Sequence, residues 1–531
     1  MTRSSGDRDG ASRRDAGGPP VSRLLVALAL IPTALIALPI VYVLLRSWGA
    51  GWEGILAELG RRRTLMLLGN TVTLCLSVTF TCCLIGFAAA WCTERSDLPG
   101  RRIWRVLCCL PLAMPAFVAS FAWKSLGPAF QGMPGAILIL SMESFPLIFL
   151  PVAAALRSMD PGMEEVSRSL GKGPWQTFLR VTLPRTIPAL GGGALLVAAH
   201  MLSEFGALSL LRVQTFTTAI FQQYELQFDN ASAAVLSALL MLLCLPVAFG
   251  EMWLRRGVRF SKVGRNTARR IAPARLGRAA PLVTLGFVVV ALLALGVPFG
   301  RLLYWLVKGV SAGRGLEAIG PALYGSLSLA LPGTVVTTVI ALPLVLLVLR
   351  SRGVFARFAD RLPYVVHGLP GLVVALALVY LSIRLLPSVY QTRVVLFAAY
   401  AILFLPLAQS AIRASAELVP REIEEVARTL GRSPLRAFLS VTLPALAPGL
   451  GAALALVALE LMRELTATLI LAPTGVVTLA TEVWSHTNDS AYAAAAPFAA
   501  LLVLISGVPV YIFTLRMLKS VPERQISEAT T

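Results

Sequence analysis

Two stretches of the sequence hold chemically suggestive residues at matched spacing. Glu164–Pro184 reads EEVSRSLGKGPWQTFLRVTLP and Glu424–Pro444 reads EEVARTLGRSPLRAFLSVTLP; at an offset of 260 residues, 13 of 21 positions are identical without a gap. Chance would supply about one or two matches in such a window, so an internal duplication is the natural reading. The residue types suit docking. Pro161 and Pro420 precede the stretches, and proline fits the first turn of a helix. Glu164, Glu165, Glu424 and Glu425 then sit at helix N-termini, where the macrodipole favours acids. Helical spacing puts Val166 with Leu170, and Val426 with Leu430, on one side. Gly171 and Gly431 supply a stop or tight turn. Pro174 and Pro434 start a second short helix carrying Phe178 or Phe438, and Pro184 and Pro444 are expected to end it.

A second group of residues breaks otherwise apolar stretches. His200 and Glu204 are four apart and so share a helix face. Glu460 and Glu464 repeat that spacing 260 residues later, beside Arg463. Charge is costly inside a membrane and commonly functional there. These four residues either line a translocation path or serve as interhelical pairs, and carboxylates suit a hard cation. The seven cysteines lie in or beside apolar stretches without CxxC spacing, and read as small hydrophobes. Three histidines are too few for much of a metal site, so no metal or cofactor ligands are assigned, and no GxxxxGK[ST] phosphate loop is found.

Composition identifies what must position these residues. Of 531 residues, 56% are hydrophobic and 14% charged, yet the net charge is +20. A soluble nucleic-acid binder could be this basic but not this apolar, and a disordered basic chain is excluded for the same reason. A polytopic membrane protein remains, with lipid as its surroundings and no nucleic-acid partner. A spanning helix needs about 20 mostly apolar residues. Such stretches occur near Leu24–Leu45, Leu65–Trp91, Ile103–Trp123, Gly135–Leu156, Ile187–Leu208 and Ala231–Leu254. They recur near Leu282–Val307, Leu323–Leu349, Leu362–Leu386, Val394–Ile412, Leu446–Leu471 and Ala491–Leu515. The fold class is therefore all-α, with about 12 transmembrane helices in two homologous halves.

With the N-terminus in the cytoplasm, 35 Lys and Arg fall on the cytoplasmic side and 11 outside, a clear positive-inside pattern. Both termini are then cytoplasmic. The expected organisation is a tail (1–23), a first half (24–254, docking loop 160–184), a basic linker (255–278), a second half (279–518, docking loop 420–444) and a tail (519–531). The linker carries nine basic residues and no acid, and reads as a solvated, topology-fixing segment.

At this point the residues resemble a known family. Glu165-Val166-Ser167, Gly171, Val181-x-Leu183-Pro184 and Glu425-Val426-Ala427, Gly431, Val441-x-Leu443-Pro444 are similar to the EAA loop of membrane subunits of ABC importers. Ala is replaced by Val or Ser, and Ile by Val. The resemblance extends from about Leu24 to Leu518, nearest to fused iron(III)-type permeases. It implies a type I ABC importer permease fold in the bacterial inner membrane, not an enzyme. Two copies of an ABC ATPase subunit would bind ATP and Mg and grip the loops through Glu164, Glu165, Gly171, Pro184, Glu424, Glu425, Gly431 and Pro444. A periplasmic or lipid-anchored solute-binding protein would deliver Fe(III). Relatives of this layout handle thiamine, aminophosphonates, sulfate or polyamines, which stay open as cargo. A secondary transporter, which would more often show ion-coupling carboxylates in broken helices and no EAA repeats, and a non-transporting scaffold are the other classes.

Overall fold

The computed structural model describes residues 22–519 apart from 50, 161, 226, 228, 258–273, 312–315, 352, 368 and 418–420. The two tails, most of the basic linker, and Pro161 and Pro420 lie outside those residues. The described residues are overwhelmingly helical, and their only β-type pairing is an isolated bridge between Ser96 and Ala274.

Among the described residues, ten unbroken helices are long and apolar enough to cross a bilayer: Arg23–Gly49, Arg62–Arg95, Gly132–Ser158, Pro174–Ser203 and Ala231–Gly250, then Gly277–Gly309, Glu317–Arg350, Arg393–Ala416, Pro434–Met462 and Tyr492–Val510. In chain order these are spans 1, 2, 4, 5, 6, 7, 8, 10, 11 and 12. Spans 3 and 9, expected as single helices, are each broken. Arg101–Ala113 and Ala116–Lys124 meet at 91° and together make an eleventh candidate crossing, whereas the twelfth expected, span 9, divides into Val354–His367 and the short apolar helix Gly371–Leu385 and does not qualify as one. Proline is the local cause. Met114, ahead of Pro115, takes an extended conformation (φ −102°, ψ 115°), as a residue before proline prefers. Pro370 stands at the corresponding place before Gly371.

Spans 2, 4 and 5 form one bundle and spans 8, 10 and 11 a second. The first span of each half crosses over. Span 1 packs on span 6 of its own half and on spans 8 and 9 of the other; span 7 packs on span 12 and on the outer arm of span 3. The buried core accordingly mixes the halves: Phe287, Ala294 and Leu302 of span 7 join the first-half cluster, and Ala29 and Ile36 of span 1 join the second. Close approach depends on small residues, as in many membrane bundles. A Cβ on Gly193 of span 5 would lie 2.8 Å from the Leu147 carbonyl oxygen of span 4, and one on Gly449 of span 11 would lie 2.9 Å from the Ala411 carbonyl oxygen of span 10.

The docking loops depart from expectation in one respect. Pro184 and Pro444 do not end the second short helix; Pro174–Ser203 and Pro434–Met462 run on as continuous helices. A π-turn at Phe178–Thr182, repeated at Phe438–Thr442, immediately precedes each proline-bearing turn, with the Leu183 and Leu443 amides donating to the Phe178 and Phe438 carbonyls. Such a local insertion re-spaces the ladder just where proline offers no donor, so the helix is deformed and not interrupted.

Gly193→Ala should destabilise the purified protein by about 1–3 kcal/mol, because the neighbour it meets is backbone. Gly192→Ala, where a Cβ meets nothing within 4 Å, should not. Thermal unfolding in detergent compares them; equal midpoints would contradict the close contact of spans 4 and 5.

Candidate functional site

The first docking helix, Gly162–Ser169, ends at Gly171 in the left-handed region (φ +78°), and the second, Arg421–Thr429, at Gly431 (φ +84°). In both, the glycine closes a Schellman motif. Gly171 N donates to Arg168 O (3.0 Å) and Lys172 N to Ser167 O (3.2 Å); Gly431 N donates to Arg428 O (3.0 Å) and Arg432 N to Ala427 O (3.2 Å). Val166, Leu170 and Trp175 on the first loop, and Val426, Leu430 and Leu435 on the second, are left exposed, Leu170 by 71% and Leu430 by 78%.

The two glutamates of each loop, expected to act alike, do different work. Glu164 is the buried one. It accepts from Thr182 Oγ1 at 2.9 Å and pairs with Arg95 Nη1 at 3.4 Å. Its counterpart Glu424 accepts from Thr442 Oγ1 at 2.9 Å and pairs with Arg350 Nη2 at 2.5 Å. Glu165 and Glu425 face outward. Adjacent residues on a helix point about 100° apart, so only one of each pair can meet the arginine at the end of span 2 or span 8. Arg95, Arg350, Thr182 and Thr442 were missed from sequence. The only signal was that the VTLP threonine is kept in both copies.

The second group of residues lies where spans 5 and 11 end. Both were expected to run on, to Leu208 and Leu471. They stop at Ser203 and Met462, and short helices Gly206–Leu210 and Thr466–Leu471 follow. Glu204 and Glu464 cap the new turns. Glu204 Oε1 accepts from Ala207 N (2.8 Å); Glu464 accepts from Ala467 N (2.9 Å), Thr468 N (3.0 Å) and Thr468 Oγ1 (2.8 Å). Glu464 therefore does not share a continuous helix face with Glu460. Glu460 pairs with Arg463 (Nε to Oε2, 3.2 Å), whose Nη1 donates to Leu112 O of broken span 3 at 3.0 Å. His200 Nε2 lies 3.6 Å from Oε2 of Glu143 and 3.9 Å from Oε2 of Glu204. Glu143, on span 4, also accepts from Ser144 and was missed, although a lone acid in an apolar stretch is itself a signal.

The two breaks touch. A Cβ on Gly206 would lie 2.8 Å from Leu465 Cδ2. Beside them Phe205, 1% exposed, packs 4.8 Å from Phe221 and 6.3 Å from Trp484 of the other half, whereas the His200 and Glu460 side chains keep 36% and 33% exposure. An open charged layer thus abuts a closed aromatic one. Further from the docking loops, buried Lys124 donates to Thr487 O (3.0 Å) and Arg301 to Ser125 O (2.8 Å), stapling the halves. Among the described residues, no group of three or more His, Cys, Asp or Glu is placed to hold a metal ion.

Comparison with known proteins decides the family. The family described as "Binding-protein-dependent transport system inner membrane component" matches residues 11–260 and 333–519. The chain belongs to that family. It is a multi-pass component of the inner membrane, with the family domain present twice, and its role is transport and not catalysis. It is 43% identical over 496 residues to the Fe(3+)-transport system permease protein FbpB 2 of Haemophilus influenzae, covering 92% of this chain and 97% of that one. Matches covering less than half of this chain include the sulfate transport system permease protein CysW of Synechocystis (29% identical, 42% of this chain, 88% of that one) and the molybdenum transport system permease protein ModB of Escherichia coli (27%, 32% and 84%). The last two match a chain the size of one half, in keeping with a fused permease.

Arg463→Met should destabilise this permease by about 1–3 kcal/mol by stranding the partly buried Glu460 charge, while Arg463→Met with Glu460→Met should recover most of the loss. Unfolding midpoints in detergent check this; equal losses would show that the pair is not what Arg463 maintains.

Proposed function

We propose that this permease is the transmembrane pathway of an ATP-driven importer and that its cargo is Fe(III). The observation that carries the reading is the pair of docking loops. Each presents an exposed apolar face beyond the membrane, held from behind by a buried or half-buried Arg–Glu–Thr contact. A surface of that kind suits a partner that pushes, and the duplication offers two equivalent seats for two ATPase subunits. ATP and Mg belong to those subunits. Closure of the pair would draw the loops together and rock the halves about the contact of Gly206 with Leu465, opening the aromatic layer and closing the charged one, which is alternating access. A binding protein would deliver cargo on the side of the aromatic layer. The positive-inside pattern puts the docking loops and both termini in the cytoplasm.

Fe(III) is favoured by the iron permease relative and by the chemistry of the charged layer. Glu143, Glu204 and Glu460 face one arginine and one histidine, a surrounding suited to a hard cation and ill suited to sulfate or molybdate. His200, Glu204, Glu460 and Glu464 remain the proposed path residues, with Glu143 added.

Reconstitution with the ATPase and the iron-loaded binding protein tests the reading. Gly171→Asp with Gly431→Asp should lower uptake at least tenfold while the protein still inserts. A Cβ there meets nothing, so the cost is confined to the left-handed backbone, about 1–2 kcal/mol each, and to the new charge at the docking face. Normal uptake and ATPase co-purification would sink the coupling role. Glu204→Gln with Glu464→Gln keeps an acceptor for each cap and removes the charge. Slower Fe(III) uptake is expected, and an unchanged rate would remove these residues from the path.

A further inference from the structure

The two docking loops share their motif but not their support. Ser167 and Thr177 of the first loop join its two short helices through a buried hydrogen bond of 3.0 Å. The corresponding positions of the second loop are Ala427 and Ala437, which cannot make one. Phe178 sits among rings: Trp91 at 4.7 Å edge-on, Trp175 stacked at 5.4 Å and Phe87 at 6.1 Å. Phe438 packs instead against the second-half core, and Leu435 replaces Trp175. The ion pairs differ as well. Arg95 and Glu164 keep 5% and 8% side-chain exposure, against 38% and 22% for Arg350 and Glu424.

Among the described residues, a third segment braces the end of span 2, where Arg95 stands, and has no counterpart at Arg350. The described end of the basic linker lies against the end of span 2. Ala274 N donates to Arg95 O (2.8 Å), Asp97 N to Ala274 O (3.1 Å) and Leu276 N to Asp97 Oδ1 (2.8 Å). The residue whose guanidinium lies 3.4 Å from Glu164, in a buried pair, therefore also has its backbone bonded to the linker that joins the halves.

We propose that the two loops are mechanically inequivalent: the first is a stiff lever, braced by Arg95, Ser167, Thr177 and the Ala274–Leu276 segment, and the second is a compliant hinge. Ser167, Thr177 and Arg95 are positioning residues for transport, acting through the loop they hold. Motion of the partner ATPases then reaches the first half promptly and the second half through a loop that yields. The inference rests on the coupling role proposed above.

Hydrogen exchange on the full complex with its ATPase subunits, without nucleotide and with a non-hydrolysable ATP analogue, tests it. Amides of 162–184 should exchange at least tenfold more slowly than those of 421–444 in both states. Ser167→Ala with Thr177→Ala, which gives the first loop the second loop's residues, should raise exchange in the first loop and increase the ATP hydrolysed per ion transported. Ala427→Ser with Ala437→Thr should slow exchange in the second. Equal exchange in the two wild-type loops, or exchange and stoichiometry unmoved by both swaps, overturns the inference. If the double glycine variant still uncouples transport, that failure is confined to the inequivalence. If the double glycine variant transports normally, the lever and hinge roles fall together with the coupling reading, whatever the exchange rates.

Discussion

Backbone polar groups inside a bilayer find no water, so every interruption of a spanning helix must be satisfied by protein. Four interruptions occur here, in spans 3, 5, 9 and 11, and their placement governs the rest of the structure. All four lie where the halves meet. Arg463 at the end of span 11 donates to Leu112 in broken span 3, Leu465 fills the space beside Gly206, and Leu372 and Val373 beside the break of span 9 share a buried cluster with Leu202 and Phe216 of the first half. Glu204 and Glu464 answer the orphaned amides of the short helices that follow. An acid is an expensive cap in an apolar setting, and it is tolerable here because His200, Glu460 and Arg463 stand at the same interface. A path for a charged solute and a place where helices can break are thus the same place for the same physical reason.

Charge serves a different purpose at the loop end of the molecule. The basic majority there gathers around a few buried or half-buried acids. Glu94 Oε1 lies 2.9 Å from Arg105 and 3.4 Å from Arg157, tying spans 2, 3 and 4. In the second half the acid has moved to the other partner: Asp360 of span 9 holds Arg413 of span 10 at 2.8 Å. Together with the pairs at Glu164 and Glu424, these fix the ends of each bundle from which the docking loops emerge. A net charge of +20 is then a topology code studded with acids that act as its fastenings.

Much of this was legible in the sequence because it is periodic or repeated. Apolar runs marked the spans, the 260-residue offset marked the halves, and Gly171 and Gly431 marked the helix ends. What escaped depends on partners distant in the chain. Glu164 and Glu165 are indistinguishable by type, and the choice between them is made by Arg95, some seventy residues earlier. Proline did not by itself announce the broken spans, since Pro151, Pro188, Pro246 and Pro448 lie within continuous helices. The breaks of spans 5 and 11 contain no proline and follow from what the opposite half places against them. Glu143 was visible and unread, because it has no counterpart in the repeat: Arg393–Ala416, the helix of span 10, carries no acid.

That missing counterpart bears on why two halves in one chain are useful. When two identical subunits form a channel, every residue near the twofold axis faces its own copy, and a buried acid must face an acid. Fusion removes that restriction. At the 260-residue offset His200 corresponds to Glu460, Ser203 to Arg463 and Phe205 to Leu465, and Glu143 has no acid in span 10 to match it. The result is two acids sharing one histidine on one side and an acid–arginine pair on the other, each able to be adjusted without altering its mate. The motif glycines and the VTLP threonines, by contrast, are unchanged between copies. Duplicated elements that meet the same kind of partner have stayed alike, and those that meet each other have diverged, which is the pattern expected if the axis carries the cargo and the loops carry the force.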